Sequence, residues 1–200
     1  MIVTQDVSYV ASLMLSTQST VVAYPTETFY GLGARIDDAQ AVERIVRIKG
    51  RDADRGMIVL VHDIETVLRI AKIGPGLQEA LAKIWPAALS VILAASPALH
   101  PLLAPGGKVA VRISPHPLAR GLTGLVGPIT STSANRTGMP PACSAGEVVR
   151  SGLDIDAVLD GGETPGAMPS TLVDLTSDTP VCLREGAVAF EEVLPLLMGS

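Results

Sequence analysis

Aromatic residues are scarce in this 200-residue chain: one Trp, three Tyr and two Phe, or 3% of the total. Proteins that grip single-stranded nucleic acid by base stacking need more of them, which weighs against that class. Cysteine is nearly absent as well. Cys143 and Cys182 cannot make a disulfide framework, and no CxxC or Cys/His spacing suits zinc. Both read as small, buried, apolar side chains. His62, His100 and His116 are scattered, without an HExxH pair, and read as surface or loop residues. Phosphate motifs of the common kind are missing. There is no GxGxxG, and Gly106-Gly107-Lys108 lacks the upstream Gly and the Ser/Thr of a P-loop. A GxSxG elbow is absent too. The most apolar run, Leu89–Ala95, is seven residues long and contains a Ser, far short of a membrane span. The opening MIVTQDVSYV has neither a basic n-region nor an apolar h-region. A cytoplasmic protein without membrane contact is the expectation.

Charge adds a second constraint. The net charge of −5 argues against an extended nucleic-acid-binding surface, while leaving room for a local basic pocket. Such a pocket has a candidate. Arg44, Arg47, Lys49, Arg51 and Arg55 fall within twelve residues and make up a third of the 15 basic residues. They follow YPTETFYGLG (24–33), a Thr-rich stretch punctuated by glycine. Part of that cluster has a plain explanation, because Arg47 and Lys49 lie in the last turn of an expected helix, where cations suit the macrodipole.

The 48% apolar content, mostly Val, Ile, Leu and Ala, supplies a core for one domain over residues 1–200. Residues 6–17 carry a helical stripe capped by Asp6. Residues 19–24 read as a β-branched strand that stops at Pro25, releasing a loop. Asp37 or Asp38 caps a helix bearing Ala41, Val42, Ile45 and Ile48, with Gly50 as its left-handed terminator. Strands are expected at 57–61, 90–94, 108–114, 129–131, Ala157–Leu159, 171–175 and Val181–Arg184. Helices are expected at 64–71, 77–84, 116–125, Ala145–Arg150 and 191–198. This alternation implies an α/β domain with a twisted sheet that is not all parallel.

Hydroxyls and cations, rather than a histidine base, are what the chain offers for chemistry. Thr26, Thr28 and Tyr30 follow Pro25. Ser131, Thr132, Ser133 and Asn135 form a second polar loop, and Ser170-Thr171 opens a late strand. Singly, each suits a turn or a cap. Together with Lys49, Arg51, Arg55, Lys108, Arg112 and Arg184 they suit an anionic small molecule, with Arg forks gripping phosphate and Lys acting as a point charge.

The order of short segments goes further. YPTETFYGLG (24–33), KGR (49–51), WP (85–86), VAVRI with HP (109–117), STSAN with Gly138 (131–138), DGG (160–162), STLVDLT (170–176) and VCLREGAV (181–188) resemble the YrdC/TsaC family of threonylcarbamoyl-AMP synthases. The resemblance implies a YrdC-like twisted mixed β-sheet flanked by helices, with a large, positively lined concave cavity. It also implies a reaction: L-threonine, bicarbonate or CO₂, and ATP with Mg²⁺ give threonylcarbamoyl-AMP and pyrophosphate. The product serves threonylcarbamoylation of adenosine 37 in tRNA through downstream modification proteins; contact with tRNA is possible but indirect. By the same resemblance Thr28, Tyr30, Arg112, Ser131 and Ser170 bind L-threonine. Lys49, Arg51, Arg55, Lys108, Ser133, Asn135, Pro141 and Arg184 bind the nucleotide, and Lys49, Arg51 and Arg112 act in catalysis. No protein ligand to a metal is implied.

Departures from the family pattern are local. Asp52 stands where Pro usually follows KGR, Arg55-Gly56 replaces Asn-Pro or Lys-Pro, and WPGP reads WPAA (85–88). Intact KGR and SAN elements favour the synthase over a related branch that lacks them, and the length suits the short form without an additional C-terminal domain. The alternative is a non-catalytic nucleotide- or RNA-binding module of the same fold.

Overall fold

The structure is a computed structural model and describes residues 1–50 and 56–199. Its helices start and stop where local chemistry directs. Asp6 caps α1 (Val7–Ser16), its carboxylate accepting from the Ser8 and Tyr9 amides at 2.9 and 3.2 Å. Asp38 caps α2 (Ala39–Lys49), accepting from the Ala41 amide at 3.0 Å. Gly50 ends α2 in the left-handed region, φ 59° and ψ 41°, and returns its amide to the Val46 and Arg47 carbonyls. The remaining helices are α3 (Ile64–Ile70), α4 (Pro75–Ile84), α5 (Pro117–Val126), α6 (Ala145–Arg150) and α7 (Phe190–Met198).

Eleven strands among the described residues form one sheet. They are β1 (Ile2–Thr4), β2 (Val22–Pro25), β3 (Tyr30–Gly33), β4 (Ile58–Leu60), β5 (Ala71–Lys72) and β6 (Leu89–Ala95). Then follow β7 (Lys108–Arg112), β8 (Ile129–Ser133), β9 (Ala157–Leu159), β10 (Thr171–Asp174) and β11 (Val181–Arg184). Their order is β1-β9-β2-β3-β8-β4-β7-β6-β10-β11, with β5 beside β6. The pairs β1–β9, β2–β9, β4–β7 and β6–β10 are parallel and the others antiparallel, so the sheet is mixed, as expected. One apolar cluster joins α1 and α5 to the sheet through Val10, Met14, Val22, Tyr24, Leu122 and Leu159. A larger one gathers Val42 and Ile45 of α2, Leu81 of α4, and Val91 and Val111 of the central strands.

Three expectations need correction. The chain does not leave the sheet at Pro25. Pro25 pairs with Tyr30 as the last rung of a β2–β3 hairpin, where a missing amide matters least. The Thr26 hydroxyl closes the four-residue turn by donating to the Phe29 carbonyl at 2.7 Å. Second, β1 and β5 are too short, at three and two residues, for alternation to announce them, and β5 takes Ala71 from the expected helix. Third, Cys143 and Cys182 are free thiols of intermediate exposure rather than fully buried ones.

The hairpin depends on glycine. Tyr24 is fully buried, its hydroxyl donates to the Thr130 carbonyl at 2.9 Å, and its ring lies against β3. A Cβ on Gly33 would sit 2.7 Å from Tyr24 Cε1. Gly33→Ala is therefore expected to lower stability by about 1–3 kcal/mol through overpacking, measurable as a lower urea midpoint at unchanged slope.

Candidate functional site

A cavity of about 680 Å³ opens where the β2–β3 hairpin and β8 face β4, β6, β7, β10 and β11. Thr26, Thr28, Phe29, Tyr30 and Gly31 form one wall. Ser131, Thr132, Ser133 and Pro141 form the next. Ile58, Ile92, Ala110 and Leu172 supply an apolar floor, with Met57, Leu103 and Pro105 beside it. Lys108, Arg112, Ser170 and Arg184 complete the lining. Three of these residues are cations and none is a carboxylate, so the described lining is electropositive despite the acidic chain. That matches the expected concavity.

Each cation is held differently. Lys108, at the start of β7, is half-exposed and pairs with Asp174 at 3.0 Å. Arg112, at the other end of the strand, is buried to 4% exposure. Its Nη1 lies 3.3 Å from Glu27 Oε1, and its Nη2 is 3.5 Å from the Ser131 hydroxyl. The Glu27 carboxylate also accepts from the Ser114 hydroxyl. Arg184 donates from Nε and Nη2 to the Ser170 carbonyl at 3.0 and 2.8 Å, and from Nη2 to the Ser170 hydroxyl at 3.2 Å. Ser170 is fixed in turn by Ser90, 3.0 Å away. Burial first, then repulsion from Arg112, pushes the Arg184 guanidinium below its ordinary pKa. Two like charges sharing a recess are a natural receptor for an anion.

The hydroxyl groups divide between framework and lining. Thr26, Thr28 and Tyr30 are nearly or fully buried. Because the Thr26 hydroxyl already donates to Phe29, the Thr28 hydroxyl at 3.1 Å is the donor between the two. Tyr30 lines the cavity, but its hydroxyl is used structurally. It donates to the Gly162 carbonyl at 2.7 Å and accepts from the Gly161 amide at 3.1 Å. Burial raises its pKa above the usual phenol value. The DGG segment is thus the clamp that orients Tyr30. Behind Glu27, His116 caps α5 by accepting from the Leu118 amide at 3.3 Å. Burial, only partly offset by Glu27, lowers the His116 pKa and favours the neutral ring that this cap requires.

Lys49 lies elsewhere than in the lining. It is 4% exposed, and its Nζ donates to the Ser133 and Asn135 carbonyls, both at 2.7 Å, and to Asn135 Oδ1 at 2.6 Å. Asn135 Oδ1 also accepts from the Ser133 hydroxyl at 2.6 Å. This arrangement ties the end of α2 to the end of β8, which runs through Ser133 where the sequence suggested a polar loop, and so sets the position of Ser131 to Ser133 in the cavity wall. Of the residues singled out in the sequence, the cavity brings together Thr26, Thr28, Tyr30, Lys108, Arg112, Ser131, Thr132, Ser133, Pro141, Ser170 and Arg184. Lys49 and Asn135 form the support behind the wall, while Arg51 and Arg55 lie outside the described residues. Sequence reasoning passed over Glu27, Ser114 and the apolar floor. A Glu between two threonines in a turn looks solvated until the hairpin folds it onto Arg112.

Among the described residues no group of three or more His, Cys, Asp or Glu is placed to hold a metal ion, and no helix is long and apolar enough to cross a membrane. Fold and cavity together define an α/β protein with an electropositive concavity among its described residues. The family model for Sua5, YciO and YrdC, described as telomere recombination, matches residues 15–186, and the chain belongs to that family. It is 41% identical over 181 residues to the threonylcarbamoyl-AMP synthase of Pyrococcus abyssi, covering 88% of this chain and 53% of that protein. With the threonylcarbamoyl-AMP synthase of Bacillus subtilis the identity is 38% over 196 residues, covering 95% and 56%. The chain therefore spans little more than half the length of these relatives. Among solved structures it resembles P. abyssi Sua5 complexed with L-threonine, with a TM-score of 0.90 and 36% identity over 99% of this chain and 61% of that one.

Removing the Lys49 ammonium strands several acceptors at once. Lys49→Ala is expected to cost roughly 2–3 kcal/mol, as buried acceptors lose charge-assisted bonds. This differs from the near-neutral effect that a solvated phosphate ligand would give, and a thermal melt distinguishes them.

Proposed function

We propose that this chain is an L-threonylcarbamoyladenylate synthase, using L-threonine, bicarbonate or CO₂, and ATP. The observation that carries the reading is the lining of the cavity: among the described residues, three cations and a set of hydroxyls with no carboxylate, in a volume suited to a nucleotide beside a small amino acid. The names of the relatives and the threonine-bound neighbour support the choice of substrates.

In this reading the threonine amine, once deprotonated, adds to CO₂ and forms a carbamate. A carbamate oxygen attacks the α-phosphorus of ATP, the bond to the bridging oxygen breaks, and pyrophosphate leaves with Mg²⁺ that entered bound to ATP. No covalent enzyme intermediate is needed. The protein must hold two anions together and stabilise charge developing on phosphorus and pyrophosphate, which is positioning plus electrostatics. Arg112, with Thr28, Ser131 and Ser170 nearby and Tyr30 as a wall, takes the amino acid and its carboxylate. Lys108, Arg184, Ser133 and Pro141 face the nucleotide, and Arg51 of the KGR segment and Arg55 beyond it are further phosphate ligands. Lys49 and Asn135 act on the nucleotide by fixing the end of β8 that carries Ser133. The adenylate product passes to tRNA-modification proteins for t6A37 synthesis, and the setting is cytoplasmic.

The test measures pyrophosphate from ATP, Mg²⁺, bicarbonate and L-threonine. Release that requires both threonine and bicarbonate is the expected result. Release indifferent to threonine would sink the synthase, and nucleotide binding without release would leave a binding module. Arg112→Lys keeps a charge for Glu27 but removes the fork, and is expected to lower kcat/KM for threonine by about 100-fold.

A further inference from the structure

Arg112 is a buried charge in a wall of strands, and its surroundings are asymmetric. Nη1 lies against Glu27, whereas Nη2 has only the 3.5 Å contact to Ser131 and Nε has no hydrogen-bond partner. Nε and Nη2 make up one edge of the guanidinium, the edge that takes both oxygens of a carboxylate. A buried donor left unsatisfied is costly, so this edge is poised for a ligand.

The Nη2 end of Arg112 lies beside Ser131 of the cavity wall, and Glu27 holds the other end of the guanidinium. The Glu27 side chain is 13% exposed, pairs with Arg112 and is not among the residues that line the cavity. Ser114, 2% exposed, donates its hydroxyl to the second carboxylate oxygen while accepting from the His116 amide at 3.1 Å. Glu27 is therefore anchored to the chain just beyond β7, the strand that carries Arg112. The carboxylate oxygen facing Nη1 makes an ion pair without an aligned hydrogen bond, as expected for charge steering rather than a rigid clasp. Arg184 repels Arg112 from across the recess, and Glu27 is the countercharge paired with it.

We propose that Glu27, anchored by Ser114, is a positioning residue that sets which edge of Arg112 faces the cavity, and so governs amino-acid carboxylate binding. The carboxylate assignment rests on the synthase reading, whereas the orientation of Arg112 does not.

Two measurements test it. In protein labelled with ¹⁵N-arginine, the Arg112 Nε–H signal is identified by its loss in Arg112→Lys. It is expected to be distinct and slow to exchange in the wild type, and to collapse toward the exposed arginines in Glu27→Gln, which keeps shape but loses charge. Ser114→Ala should move it less, in the same direction, and decides the matter should Glu27→Gln not fold. An unchanged Arg112 signal in the folded variant overturns the proposal. In calorimetry, Glu27→Gln is expected to weaken L-threonine at least tenfold while ATP stays within threefold. Equal losses for both ligands mean general damage and also overturn it. If the wild type releases no threonine-dependent pyrophosphate, the synthase reading fails, and the Arg112 signal still decides the role of Glu27.

Discussion

A guanidinium at 4% exposure in the middle of a sheet is stable only if its charge is answered within the protein. Arg112 meets that condition through Glu27, which lies far away in sequence and reaches it only because β2 and β3 fold into a hairpin. Much of the architecture around the cavity follows from this requirement. Pro25 and the Thr26 turn end the hairpin beside Arg112, Gly33 lets β3 lie against Tyr24, and Ser114 fixes the carboxylate from the far side. Removing one partner of such a pair leaves a buried charge, so the elements are mutually dependent.

The same logic, a cation answered by local oxygens, recurs in the support for the other wall. Lys49 gathers carbonyl and side-chain oxygens of Ser133 and Asn135, so the helix end fixes the end of β8 and the turn that follows it. Arg184 does likewise with Ser170 on the opposite side. The cavity is therefore walled by side chains already committed to positions, which is what catalysis by positioning and electrostatics demands. Its apolar floor of Ile58, Ile92 and Leu172 lowers the local dielectric and strengthens each charge.

Much of this was legible in the sequence. Asp6, the Asp37-Asp38 pair and Gly50 announced the ends of α1 and α2, and the β-branched runs announced the central strands. The ordered segments from YPTETFYGLG to VCLREGAV identified the family. The remainder was hidden for physical reasons. Pro25 carries a strong strand-stop signal, yet a terminal rung tolerates it, so β3 went unseen. Lys49 reads as a cation in the last turn of a helix, and whether its ammonium points to solvent, ligand or loop depends on residues more than eighty positions away. Glu27 has no local mark at all, because its partner is set by tertiary packing.

The central claim is that Arg112 presents one prepared edge to an amino-acid carboxylate within the cavity. A crystal structure with L-threonine and a non-hydrolysable ATP analogue tests it most directly. The threonine carboxylate should bridge Nε and Nη2 of Arg112, with the phosphates toward Lys108 and Arg184. Threonine bound away from Arg112, or with its carboxylate turned from that edge, would contradict the account.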